Sequence, residues 1–287
     1  MKPMNRQKSF QNEAGPALYL VPTPIGNLKE ISPRQREILE SVDVIACEDT
    51  RNSGPLLHNI DIHKPLIAHH EFNAIQSTKG ILQLLEEGKK VAVISDAGYP
   101  LISDPGSQLV AETVAAGFPV IPISGSNAAL NALVASGLPT SHFLFYGFLD
   151  AKSTKRVREL EGLKNFPFTM IFYEAPHRIE RMLVDALEVL GDRQMCLARE
   201  LTKIHEEMLR GTISEVLAAC TDLKGEMVVV IEGCPKQTER TLEECVKMAF
   251  ELVEGGMKPK AAAAKACEES GFSKNEIYQE MMRRKDS

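Results

Sequence analysis

The stretch Val91 to Gly106, VAVISDAGYPLISDPG, decides the fold. Val91 to Ser95 is a run of apolar and small β-formers after Gly88-Lys89-Lys90, which suits a buried strand of a parallel sheet covered on both faces. It breaks into a loop where Gly98 and Gly106 permit backbone angles other residues avoid, Pro100 and Pro105 fix theirs, and Asp96 and Asp104 put carboxylates at the rim. Such a loop at the carboxyl end of a strand is where open α/β sheets bind ligands. The same residues also suit a rigid turn whose aspartates cap a helix.

Strand and helix signals alternate on either side. Ala17 to Val21 predicts a first strand, running into Pro22-Thr23-Pro24-Ile25-Gly26-Asn27. Ser32-Pro33-Arg34-Gln35 opens a helix, with an N-cap serine, proline at the first helical position and glutamine three residues on. Val44 to Cys47 and Pro65 to Ala68 predict strands ending in Glu48-Asp49-Thr50-Arg51 and His69-His70-Glu71, and Ala74 to Glu87 predicts a helix. A helix over Gln108 to Ala116, a strand over Val120 to Ile123, the loop Ser124-Gly125-Ser126-Asn127 and a helix to Ser136 follow. Five strands with helical crossovers make a parallel, doubly wound α/β domain over residues 17–137.

Gly137-Leu138-Pro139-Thr140 reads as a hinge into a second α/β domain, residues 138–235. Its strands are expected over Phe143 to Gly147, Thr169 to Tyr173, Met195 to Ala198, near Glu207 to Leu209, and Met227 to Ile231. Helices are expected over Thr154 to Leu163, Arg178 to Leu190 and Ser214 to Ala219, few enough long crossovers to predict a mixed sheet. Residues 236–287 read as helical: Thr241-Leu242-Glu243-Glu244 and Ser273-Lys274-Asn275-Glu276 are capping boxes, Lys260 to Glu269 is alanine-rich, and Gly271 offers a turn. This pattern suits a helix-turn-helix-like appendage. Ten basic and ten acidic residues balance over Cys234 to Ser287, so a packing or dimerisation role is an equal alternative to nucleic-acid docking.

Composition narrows the class. In 287 residues, 44% hydrophobic and 25% charged, no apolar run reaches the roughly 20 residues that span a bilayer. Residues 1–16 are polar, without the hydrophobic segment of a signal peptide, and read as a flexible lead-in. Six scattered cysteines lack CxxC spacing, which disfavours a zinc site or disulfide framework and suits a reducing, cytoplasmic setting. The net charge of -6 disfavours indiscriminate coating of nucleic acid.

Neither GxGxxG nor GxxxxGK[ST] is present, so a nucleotide-like ligand here is one without phosphates. S-adenosylmethionine fits: backbone groups in loops shaped by glycine and proline suit its adenine and carboxylate, and a carboxylate side chain, Asp96, suits its ribose or amino group.

Six ordered motifs carry a resemblance: TPIGNL (Thr23 to Leu28), EDTR (Glu48 to Arg51), SDAGYPLISDPG (Ser95 to Gly106), FYEAPHR (Phe172 to Arg178), ARELTKIHEE (Ala198 to Glu207) and GEMVVVIEG (Gly225 to Gly233). Together they resemble the ribosomal small-subunit methyltransferase I group of the tetrapyrrole-methylase-like (class III) S-adenosylmethionine methyltransferases. The likeness covers about Leu18 to Gly233 and, more weakly, the helical tail. Ser124 stands where that group's loop commonly has proline.

The resemblance implies two α/β domains of the tetrapyrrole methylase type with S-adenosylmethionine in the cleft between them. The substrate it implies is a cytidine in the decoding region of 16S ribosomal RNA, within the small ribosomal subunit, methylated on its ribose 2′-oxygen by a homodimer. Cofactor residues would be Pro22, Gly26, Asp96, Gly98, Ile102, Ser126 and Asn127, which the doubly wound sheet also favours, and Tyr173, Ala198 and Met227 on resemblance alone.

Methyl transfer from a sulfonium is an in-line displacement that a base or cation near the 2′-hydroxyl would assist. Glu48 and Asp49, and Glu200 with Lys203, are candidates, with His177 and Arg178 better suited to substrate contact at a helix start. Glu48 to Arg51 also suits a salt-bridged turn. For RNA, Arg51 and the basic run Lys152, Lys155, Arg156 and Arg158 stand out, the run equally suiting a solvated helix face. Adjacent His69 and His70 on a strand would point to opposite faces, so no metal site is expected. With 6% aromatic residues and no tryptophan, recognition by shape is favoured over base stacking. Rival readings are a methylase of a small molecule such as a tetrapyrrole precursor, and a non-catalytic RNA-binding relative that kept the fold.

Overall fold

The computed structural model describes residues 6–8, 15–103, 107–235, 241–267, 270 and 272–285. The chain forms two compact units, Met1–Gly233 and Cys234–Ser287. Asp104, Pro105 and Gly106 of the opening stretch, and Glu269 and Gly271 of the tail, lie outside the described residues. Most of the lead-in does too, although Gln7 exchanges two hydrogen bonds of 2.9 Å with the backbone of Val120.

The first unit holds two five-stranded sheets. In the first, β1 (Leu18–Leu20), β2 (Val44–Cys47), β3 (Leu66–Ala68), β4 (Val91–Val93) and β5 (Val120–Pro122) run parallel in the order β3-β2-β4-β1-β5. All three residues of β4 are buried, as a strand covered on both faces requires. The crossovers are α1 (Pro33–Ser41), α2 (Thr50–Asn59), α3 (Ala74–Glu86) and α4 (Ser107–Ala115), and α5 (Ala128–Ser136) follows β5. Ser32 caps α1 with the full box expected, its hydroxyl accepting from the Gln35 amide while the Gln35 side chain accepts from the Ser32 amide.

Helix α2 is not among the helices expected from the sequence, and it contains Gly54-Pro55, a pair that commonly marks a turn. Asp49 caps it, its carboxylate accepting from the Arg51 amide at 2.9 Å.

The second sheet is mixed, with order β6-β7-β10-β8-β9: β6 (Phe143–Phe148), β7 (Thr169–Glu174), β8 (Gln194–Arg199), β9 (Glu207–Thr212) and β10 (Met227–Ile231). Only β6 and β7 pair in parallel. Strand β9 extends to Thr212, beyond the short segment expected near Glu207 to Leu209. Strand β10 is buried on both faces, and its side chains alternate as a strand's period of two demands. Met227, Val229 and Ile231 join the core formed with α6 (Ser153–Leu163), α7 (Ile179–Leu190) and α8 (Ile213–Ala219). Val228 and Val230 face the other way, toward Ala129, Ala132 and Leu133 of α5. A helix that starts from the first sheet therefore covers the second, and this holds both sheets in one unit.

In the second unit, α9 (Leu242–Glu254), α10 (Pro259–Ala266) and α11 (Lys274–Lys285) pack around Val246, Ala262, Ala266, Ile277 and Met281. Both capping boxes form: Thr241 with Glu244, and Ser273 with Glu276. Among the described residues no helix is long and apolar enough to cross a membrane.

Candidate functional site

The loops after β1 and β4 are tied to each other. Thr23 and Gly98 exchange backbone hydrogen bonds of 2.9 and 3.0 Å, the Thr23 hydroxyl donates to the Ser95 carbonyl, and the Ser95 hydroxyl donates to the Gly98 carbonyl. Gly98 takes φ 77°, where a side chain would be strained. The Tyr99 hydroxyl accepts from the Gly125 amide at 3.1 Å, drawing in the loop after β5, and Asn127 caps α5.

These loops form one wall of a cavity of about 380 Å³, within the roughly 300–1,000 Å³ of small-molecule sites. Asp96, Gly98, Ile102 and Asn127 line it from the first sheet, and Phe148, Tyr173, Glu226 and Met227 from the second. The lining is mainly apolar, with Ile25, Leu201 and Val228 adding to it. Two of the polar groups at it are carboxylates held in place. Asp96 accepts from the Asn52 side chain of α2 at 2.8 Å, and Glu226 lies 2.9 Å from the Lys203 ammonium. A third, Glu174, is 3% exposed and paired with Arg178 at 3.0 Å, an arrangement that leaves no buried charge uncompensated.

Six of the expected cofactor residues thus share one cavity: Asp96, Gly98, Ile102, Asn127, Tyr173 and Met227. The other four stand behind or beside it. Pro22 gives its carbonyl to the Gln35 side chain, Gly26 lies under the Lys203 side chain, Ser126 donates to Glu30 at 2.8 Å, and Ala198 is fully buried beneath the wall. Sequence reasoning missed Phe148, Glu174 and Glu226. Glu174 and Glu226 sit inside FYEAPHR and GEMVVVIEG, where charge next to a buried strand was the available signal.

The expected catalytic residues fall in two places. Lys203 bridges Glu200 and Glu226, each at 2.9 Å, at the second-sheet side of the cavity. The hydrogen bond from Lys203 holds the Glu200 carboxyl below the usual carboxylate range. Burial pulls the Lys203 ammonium down, but the hydrogen bonds and charges of Glu200 and Glu226 outweigh it and leave its pKa raised. Lys203 is therefore a charged clamp. Glu48 and Asp49 lie at the end of β2. The Arg51 side chain brings Asp49 down to about 2, and Glu48 lines a second, small cavity with His69.

Of the expected RNA contacts, Arg51 is exposed and held by Asp49 at 2.6 Å, Lys155 is exposed 3.4 Å from Asp150, and His177 is exposed beside the cavity residue Pro176. Arg178 is half-buried, donating to the Leu149 carbonyl as well as pairing with Glu174. Arg156 departs from the surface run in which the sequence grouped it. It is 2% exposed, its guanidinium 2.6 Å from Asp185 of α7 and bonded to the Asp150 and Ala151 carbonyls. Its charge holds two helices together, so Lys152, Lys155 and Arg158 are the residues of that run left to face a partner.

A cleft closed by loops of a parallel and a mixed sheet defines a class, and comparison bears it out. The family model described as Tetrapyrrole (Corrin/Porphyrin) Methylases matches residues 17–217. A solved uroporphyrin-III C-methyltransferase from Thermus thermophilus, in complex with S-adenyl homocysteine, has the same fold. It superposes with TM-score 0.54 at 16% identity, over 75% of this chain and 97% of that one. The ribosomal RNA small subunit methyltransferase I of Bacillus subtilis (strain 168) is 43% identical over 96% of this chain and 97% of its own. That of Escherichia coli O157:H7 is 42% identical over 96% and 97%. The chain belongs to the tetrapyrrole (corrin/porphyrin) methylase family, and within it groups with the ribosomal RNA small subunit methyltransferase I proteins.

The family's cofactor is S-adenosylmethionine, and the cavity fits it. The apolar wall suits an adenine, and the carboxylates of Asp96 and Glu226 suit ribose hydroxyls and a cationic amino or sulfonium group.

Proposed function

We propose that the protein transfers a methyl group from S-adenosylmethionine to the ribose 2′-oxygen of a cytidine in the decoding region of small-subunit ribosomal RNA, acting in the cytoplasm as a homodimer. The observation that carries this is the shared cavity, reached by loops of both sheets, in a chain whose ribosomal RNA methyltransferase relatives match it over 96% of its length.

In this reading Asp96, Gly98, Ile102, Asn127, Tyr173 and Met227 bind the cofactor, with Glu226 beside them. Pro22, Gly26, Ser126 and Ala198 shape the loops and wall from behind. Bound S-adenosylmethionine supplies an electrophilic methyl on a sulfonium. The chain supplies orientation, which in favourable intramolecular models is worth up to roughly 7–11 kcal/mol. The Lys203 clamp fixes Glu226 against the cavity, and a cation there favours a developing alkoxide at the 2′-oxygen. Glu48 and Asp49 follow β2 on the first-sheet side, Asp49 occupied in holding Arg51 and Glu48 exposed beside the small cavity of His69. Arg51, Lys155, His177 and Arg178 flank the approach, with Arg178 positioning Glu174.

The test is transfer of labelled methyl to small ribosomal subunits from cells lacking the protein, with stripped RNA in parallel and mass mapping of the product. A methyl on one cytidine ribose is the expected result. Transfer to a base, or to a tetrapyrrole precursor and not to RNA, would overturn the reading.

A further inference from the structure

Between the loop Ser95 to Leu101 and the ends of β2 and β3 lies a space of about 10 Å³ lined by Glu48, His69, Ser95, Pro100 and Leu101 among others. That is the volume of one water molecule, which needs about 10–15 Å³. His69, 3% exposed, reaches it from the end of β3. Its Nδ1 is 2.7 Å from the Ser77 hydroxyl, and its Nε2 has no hydrogen-bond partner among the described residues.

The tautomer follows from counting protons. Ser77 Oγ lies 3.0 Å from the Asn73 carbonyl, the backbone acceptor one helical turn back. A serine hydroxyl has a single proton, and given to Asn73 it leaves Oγ to accept from the Nδ1–H of His69. Nε2 is then a bare acceptor. Burial, reinforced by neighbouring His70, lowers the affinity of the ring for a second proton, so the acceptor persists at neutral pH. Glu48 likewise makes no hydrogen bond or ion pair among the described residues. The buried Nε2 of His69 is thus an acceptor without a donor at a water-sized space that the exposed Glu48 also lines, and buried acceptors are rarely left dry.

We propose that this space is a binding site for one O–H donor, held between His69 Nε2 and the Glu48 carboxylate behind the loop that lines the main cavity. A water molecule carries two protons and satisfies both acceptors; an alcohol carries one and satisfies either. Two sources share this chemistry: solvent, and a hydroxyl of a substrate ribose, the latter resting on the ribose-methylation reading above.

Crystals of the full-length protein, diffracting well enough to show ordered water, test the site directly. The expected result is an oxygen within hydrogen-bond distance of Nε2, with nitrogen-15 shifts of His69 showing the neutral Nδ1–H tautomer. A dry space, or an Nε2–H tautomer, overturns the proposal. Soaks with cytidine and with 2′-deoxycytidine separate the sources. An oxygen replaced by cytidine alone assigns the site to the ribose 2′-hydroxyl, one replaced by both assigns it to another sugar hydroxyl, and one retained in both assigns it to water. Because neither readout needs methyl transfer, failure of the enzymatic reading leaves the water site testable, and the reverse also holds.

Discussion

The aliphatic stem of Lys203 lies directly over the α-carbon of Gly26, so that a methyl group added at Gly26 would overlap it. Gly26 belongs to the loop after β1 and Lys203 to the segment after β8, so this contact joins the two sides of the cavity. Gly26 also takes φ 145°, a conformation costly for other residues.

Gly26→Ala is accordingly expected to destabilise the protein by about 1–3 kcal/mol and to weaken S-adenosylmethionine binding by displacing Lys203. Shortening the lysine should relieve the overlap but not the backbone strain. In a denaturation cycle with Lys203→Ala, a coupling of about 0.5–3 kcal/mol is expected. Additive effects would show that the two residues do not meet.

Asp96→Ala should raise the dissociation constant for S-adenosylmethionine roughly 10- to 100-fold, the range of losing a hydrogen bond to a charged group. Isothermal calorimetry measures it. At a hundred times its dissociation constant the ligand stabilises wild type by about 2.7 kcal/mol, a gain expected to fall to about 0.4–1.4 kcal/mol in the variant at the same concentration. Unchanged affinity would remove Asp96 from the site.

Arg156 and Lys155 should behave oppositely although they are adjacent. Arg156→Ala strands the buried Asp185 carboxylate and should cost about 3–5 kcal/mol in urea unfolding. Lys155→Glu should leave stability nearly unchanged, weaken methyl transfer to RNA, and lower the slope of that dependence on salt by about 1. Normal transfer by the Lys155 variant would exclude it from the RNA surface.

The Asp49 carboxyl, held at about 2 against an ordinary 3.8 chiefly by the Arg51 side chain, makes an acid-dependent contribution to stability. With the folded pKa depressed, the contribution is present above pH 3.8 and is lost as pH falls from there toward 2. Asn is also a good N-cap, so Asp49→Asn keeps α2 while deleting the charge. The stability gap between wild type and variant should therefore narrow across that window in unfolding curves taken at successive pH values. A constant gap would contradict the assignment.

What was legible in the sequence was whatever depended on local pattern. The buried run of β4, the capping boxes at Ser32, Thr241 and Ser273, and the two-sheet order all follow from periodicity and turn chemistry. Helix α2 was hidden by Gly54-Pro55, although Asp49 was a readable cap. The burial of Arg156 was invisible because its partner, Asp185, lies on another helix. The same holds for the site. Asp96, Gly98 and Tyr99 announce themselves by strand-end position, whereas Phe148 and Glu226 converge only once α5 has joined the sheets.

The paired backbone bonds of Thr23 and Gly98 stitch two loops into a miniature ribbon on the first-sheet side of the cavity. That wall cannot part without breaking both bonds at once. On the facing side the Lys203 ammonium and the Glu226 amide both donate to Glu200, so that margin is pinned as well. A pocket secured on both walls in this way keeps its shape before a ligand arrives, so little ordering is lost on binding.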